Sequence, residues 1–134
     1  FGLTPEQFRD WVAPYDIQVL AAAPSLVRIA HLHGEEGDPE LIADYPVEVL
    51  SWSDKASAPT IPEAASHYGW VPMVGIDELT SLYWTPSEAV AHVIQARRAA
   101  GDRLIVAPNC TLHSDINPLT LVGLRRGVDV ALTY

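Results

Sequence analysis

The sequence predicts an α/β fold built on parallel strands, and three observations carry that expectation. Short apolar runs alternate strictly with helix-start signals along the whole chain. The runs are dense in Val, Ile and Leu with little polar alternation, as strands buried on both faces are. Successive runs lie roughly 20 to 30 residues apart, which leaves room for one crossover between parallel strands. The expected order is a helix followed by four strand–helix units, a single (β/α)4-type segment over residues 1–134.

The helices are placed by their first residues. Thr4-Pro5, Asp38-Pro39, Thr60-Ile61-Pro62, Thr85-Pro86 and Asn117-Pro118 each set a capping side chain at or just before a proline. Thr, Asp and Asn accept the free N–H groups of a first turn, and proline suits the first helical position. Gln7, Glu63 and Glu88 stand three residues past their caps, the capping-box spacing. The expected helices run from Pro5 to Ala22, Pro39 to Ala43, Pro62 to His67, Pro86 to Ala100 and Pro118 to Ala131. Gly101 ends the fourth. The strands are expected at Leu26 to Ala30, Val47 to Leu50, Val71 to Ile76 and Arg103 to Ala107. Each is short and bounded by Pro, Gly or polar residues.

Composition narrows the function. Of 134 residues, 49% are hydrophobic and 19% charged, which suits one folded domain with a core. A net charge of −9 argues against general affinity for nucleic acid or anionic membranes. No apolar run has the length of a membrane span and no signal peptide is visible, so a cytoplasmic location is expected. The lone Cys110 excludes an internal disulfide. The chain opens on Phe1 with an abrupt first element, as a piece of something longer would. It has no G-x-G-x-x-G or Walker loop and no G-x-S-x-G elbow.

Parallel α/β sheets bind ligands at the carboxyl ends of their strands. Those ends carry His31-Leu32-His33-Gly34, Ser51-Trp52-Ser53-Asp54, Gly75-Ile76-Asp77-Glu78 and Pro108-Asn109-Cys110-Thr111-Leu112-His113. In an extended chain His31 and His33 share one face while Leu32 points the other way. Imidazole nitrogen and thiolate sulfur are ligands that zinc prefers, and three protein ligands leave an open position. His31, His33 and Cys110 are therefore the candidate metal ligands. The plain alternative is a pair of hydrogen-bonded histidines and a small buried thiol.

Glu78 is open to three roles: a fourth ligand, an outer partner of an imidazole, or a proton-transfer group. Asp77, Trp52 and His113 are candidate substrate-binding residues. Trp84 reads better as helix packing, His67 and His92 as surface residues, and Glu35, Glu36 and Asp38 as an acidic turn beside a helix N-terminus.

In this order and spacing, the strand ends resemble the C-terminal half of the uroporphyrinogen decarboxylase superfamily. That superfamily also holds the methylcobamide:coenzyme M methyltransferases and the cobalamin-independent methionine synthases. The carriers are His31-Leu-His33-Gly34, Val49-Leu-Ser-Trp52, Gly75-Ile-Asp77-Glu78, Thr85-Pro-Ser-Glu88, Ala107-Pro-Asn-Cys110 and the closing run from Asn117-Pro118 to Val128. The resemblance covers essentially the whole chain. It implies the second half of a (β/α)8 TIM barrel, units five to eight preceded by the helix after strand four. An intact barrel takes about 250 residues. Either an N-terminal half, a second copy or a partner would complete it.

The resemblance also implies chemistry. In the methyltransferase branches an H-x-C motif and a distant cysteine hold zinc, which keeps a thiol substrate reactive toward a methyl group. His31 matches the first ligand and Cys110 the distant one. His33 stands where the motif has Cys, which makes the site less electron-rich. The carboxylate that methionine synthases carry on the next strand falls near Ser51 here, leaving Glu78 to supply it. A corrinoid protein is the implied methyl donor. The decarboxylase branch has a late G-H-G histidine and a strand-six Asp. Asn109-Cys110 and Ser51 replace them. The expected function is thus a zinc-dependent methyltransferase acting on a small-molecule substrate. A metal-free decarboxylase-like enzyme and a non-catalytic half-barrel are the alternatives.

Overall fold

The computed structural model describes residues 2–133. Four strands form one all-parallel sheet: β1 (Ile29–Leu32), β2 (Val49–Trp52), β3 (Val71–Ile76) and β4 (Ile105–Pro108). Their spatial order is their sequence order, β1-β2-β3-β4. A doubly wound sheet reverses its order at a switch point, whereas consecutive order is that of a barrel wall. The expected α/β class with parallel (β/α) units is what the chain adopts.

All the helices but the second start at a capping side chain. The helices are α1 (Pro5–Trp11), α2 (Ala13–Ala21), α3 (Ile61–Ser66), α4 (Pro86–Ala100) and α5 (Pro118–Ala131). Thr4, Thr60 and Thr85 form complete capping boxes with Gln7, Glu63 and Glu88, and Asn117 accepts the N–H of Leu119. Gly101 closes α4 at φ 68°.

Three expectations need correction. The single helix from Pro5 to Ala22 is two helices, because Pro14 has no N–H to continue the ladder and the chain turns at Val12. The segment after Asp38 is a short 3₁₀ turn, Pro39–Ile42. The first, second and fourth strands begin two to three residues later than expected, since pairing sets them. The carbonyl of Arg28 takes the N–H groups of Glu48 and Val49, and the ladder starts there, leaving Leu26 and Val27 exposed.

Only the inner strands are buried on both faces. All four residues of β2 are buried, and so are four of six in β3. The outer strands, β1 and β4, each have one free edge. One face of the sheet packs on the helices. Leu50, Trp52 and Val74 meet Ala64 of α3 and Ala96 of α4, with Ala30 and Leu32 of β1 against them. A second cluster joins Ile76, Trp84, Ala89 and Val93 to Leu124 and Ala131 of α5. Gly123 lets α5 lie against the start of α4, since a Cβ there would stand 2.5 Å from the Pro86 carbonyl oxygen. No helix among the described residues is long and apolar enough to cross a membrane.

A candidate metal centre at the strand ends

The strand period places the histidines. Ala30 and Leu32 pack into the core, so His31 and His33 project from the opposite face, where both are exposed. Their rings lie 5.9 Å apart, centre to centre, tilted by 51°. Cys110 reaches the same place from the loop after β4, although 77 residues separate it from His33. Its Sγ is 3.6 Å from His33 Nδ1. One ligand atom from each of His31, His33 and Cys110 fits within a mutual distance of 4.8 Å. Cys110 is a free, half-buried thiol.

The donor set fits zinc. Two ligands at ordinary zinc–nitrogen and zinc–sulfur distances on a tetrahedron stand about 3.6 Å apart, the separation seen between His33 and Cys110. The 4.8 Å envelope is wider than a bound set needs. With three protein donors, one position stays open for a substrate.

The outer interactions of this group come from two buried residues, Ser51 of β2 and Asn109 of the loop after β4. In the parallel register His31 stands beside Ser51, and Leu32 beside Trp52. His31 Nδ1 lies 3.1 Å from the Ser51 hydroxyl, which also reaches the Asn109 carbonyl oxygen at 3.5 Å. Asn109 is fully buried. Its side-chain oxygen accepts the Gly75 N–H at 3.1 Å, and its own N–H donates to the Ile76 carbonyl at 2.9 Å. Gly75 sits at φ 108°, a conformation open to glycine, and so turns its N–H out of the ladder toward that amide. The loop carrying Cys110 is thereby pinned to β3.

Ser51 and Asn109 are neighbours of the cluster that the residue patterns did not single out. Aligning the last residues of the first two apolar runs, Ala30 with Leu50, sets His31 beside Ser51, and that signal was present in the sequence.

The remaining candidates are placed differently. Glu78 is half-buried at the end of β3 and takes a short hydrogen bond from the buried Ser53 hydroxyl; it is not one of the three clustered residues. Asp77 turns back on its own loop, accepting the N–H of Leu79 at 2.9 Å and the Thr80 hydroxyl at 2.7 Å. His113 is exposed and accepts the Asp115 N–H at 3.2 Å, capping the local turn. Trp52 is completely buried in the core and donates from its indole to the Pro59 carbonyl at 2.8 Å, so it lines no pocket mouth. Trp84 packs on α4, as expected. His92 is half-buried rather than on the surface, stacked 3.8 Å from the Trp84 ring.

Fold and cluster together define a class: four parallel (β/α) units of a barrel wall with a His-His-Cys group at the carboxyl ends. The fold is similar to that of a methyltransferase from Methanosarcina mazei, with a TM-score of 0.75 at 21% identity. The match covers 96% of this chain and 38% of that one. No protein-family model and no curated protein matches the chain. The chain thus has a methyltransferase-like fold and spans well under half the length of the protein it resembles.

Proposed function

We propose that this chain is the metal-binding half of a methyltransferase-type enzyme of the uroporphyrinogen decarboxylase-like superfamily. One observation carries the reading: His31, His33 and Cys110 come from opposite edges of the sheet to within 4.8 Å of one another. In this reading Nε2 of His31, Nδ1 of His33 and the thiolate of Cys110 hold zinc. Bound zinc supplies Lewis acidity for activating a thiol or a similar acceptor. The exposed side of His31 and His33 admits that acceptor. Glu78, fixed by Ser53, is the carboxylate available to take its proton. A corrinoid protein serves as methyl donor, and the need for a reduced Cys110 suits a cytoplasmic setting.

A second feature favours an incomplete barrel. Each outer strand exposes a large apolar residue, Ile29 on β1 and Ile105 on β4, and the exposed Val19 of α2 stands beside Ile29. A cavity of about 400 Å³ opens between α2 and the free edge of β1, lined by Val19, Leu20, Ile29 and Ala30. Large exposed apolar patches mark interaction sites. Four further strands with their helices would cover both edges. A second copy suits this less well, because its α5 and the α1–α2 pair would compete for the same junction.

Elemental analysis tests the metal site. About one zinc per chain is expected for a three-ligand site, with loss in both His31→Ala and Cys110→Ala. A wild-type chain that stays empty after zinc is added overturns the reading.

A further inference from the structure

We infer that Ser51 is a positioning residue that locks His31 in one tautomer and so aims its Nε2 lone pair into the cluster. The inference rests on the metal-site reading for its purpose, but the geometry that carries it is independent of any metal. Three groups stand in line: the His31 imidazole, the Ser51 hydroxyl and the Asn109 carbonyl. The first gap is 3.1 Å and the second 3.5 Å.

Donor counting sets the direction. A carbonyl oxygen only accepts, and a serine hydroxyl has one hydrogen to give. When that hydrogen points at Asn109, the Ser51 oxygen is left as an acceptor. His31 Nδ1 must then carry the ring hydrogen. In a neutral imidazole the other nitrogen is bare. Nε2 is therefore the ligand atom, and it lies on the far side of the ring from Ser51.

Burial fixes the inner end of the arrangement. Ser51 is 8% exposed and Asn109 is fully buried, so water does not compete for the bond between them, while the His31 ring at the outer end is exposed. The Asn109 carbonyl cannot drift, because its residue is tied to β3 through both Gly75 and Ile76. The same residue leads directly into Cys110. Ser51 thus links two ligand-bearing strands, β1 by its bond to His31 and β4 by its bond to the residue before the thiol. Outer partners of this kind fix the orientation of metal-ligating histidines, and their loss weakens metal binding about 10- to 100-fold.

The test compares the wild-type chain with Ser51→Ala and Ser51→Thr, after matching thermal unfolding confirms that each is folded. Nitrogen-15 correlation spectra of the imidazole rings in the metal-free chain, recorded near pH 8.5 where histidine is neutral, report the tautomer. The hydrogen is expected on His31 Nδ1 in the wild type and in Ser51→Thr, with that bias lost in Ser51→Ala. Hydrogen on Nε2 in the wild type, or an unchanged spectrum in Ser51→Ala, overturns the inference. Cobalt(II) titration, followed by its thiolate absorption band, forms the second arm. Binding is expected to weaken about 10- to 100-fold in Ser51→Ala at unchanged stoichiometry. Equal affinity in the two overturns the positioning role and leaves the metal site standing. A chain that shows the expected tautomer yet binds no cobalt supports the role of Ser51 and overturns the metal reading instead.

Discussion

All four residues of β2 are buried, whereas its neighbour β1 alternates exposed and half-buried positions, with Ile29 51% exposed. β4, at the other edge, starts the same way with Ile105 at 41% but buries Ala107. The candidate ligands come from these outer strands: His31 and His33 from the end of β1, Cys110 from the loop after β4. The groups that hold them, Ser51, Asn109 and Gly75, are buried. The sheet divides the work. Side chains at its edges rest on buried groups from β2, from β3 and from the loop after β4.

The contrast is sharpest in stability. Trp52→Ala empties a fully buried site and should cost about 3 to 5 kcal/mol, read as a lower denaturant midpoint. Ile29→Ala, on the exposed face, should change stability by no more than about 0.5 kcal/mol in this chain. A cost for Ile29→Ala close to that of Trp52→Ala would break the comparison, because it would mean that the face of β1 is already covered in solution.

Gly123→Ala and Asn109→Ala come next. The new methyl in Gly123→Ala meets the Pro86 carbonyl at 2.5 Å and must push α5 off α4, at a cost of about 1 to 3 kcal/mol. Asn109→Ala leaves the buried Gly75 N–H without its acceptor, which costs about 1 to 3 kcal/mol. It should also loosen Cys110 and weaken metal binding. A variant that loses stability but binds metal as the wild type does would separate the buried support from the site.

Much of this architecture is legible without coordinates, for reasons particular residues make plain. Helix starts are local: Thr85, Pro86 and Glu88 contain their own instructions, and α4 spans Pro86–Ala100 as expected. Strand limits are not local. β1 begins at Ile29 because Glu48 and Val49 reach the Arg28 carbonyl, a fact of pairing that no run of apolar residues encodes. The period of two was enough to put His31 and His33 on one face. It could not say that Trp52 points into the core or that Asp77 spends its carboxylate on its own turn. Those outcomes depend on register and on loop closure.

The smallest expected effect lies at the start of β1, where the edge strand is fastened to the buried one. Arg28 pairs with Glu48 in a short salt bridge, and the Arg28 N–H donates to the same carboxylate at 2.8 Å. These bonds hold the Glu48 carboxyl down at about 2, from an ordinary 4.5, with the side-chain bond to Arg28 the largest cause and the backbone bond next. A carboxyl whose value is depressed on folding stabilises the fold fully above its unfolded value. That contribution is lost as pH falls through the folded one. The fastening should therefore be complete above about pH 4.5 and fade between there and about pH 2. Because the pair is at the surface, salt should weaken it as well. Glu48→Gln should flatten this part of the stability–pH curve and speed hydrogen exchange at the Glu48 and Val49 amides, while the amides of β3 keep their protection. Faster exchange across the whole sheet would mean that the edge and the middle unfold together, and that the two do not form separate layers of stability.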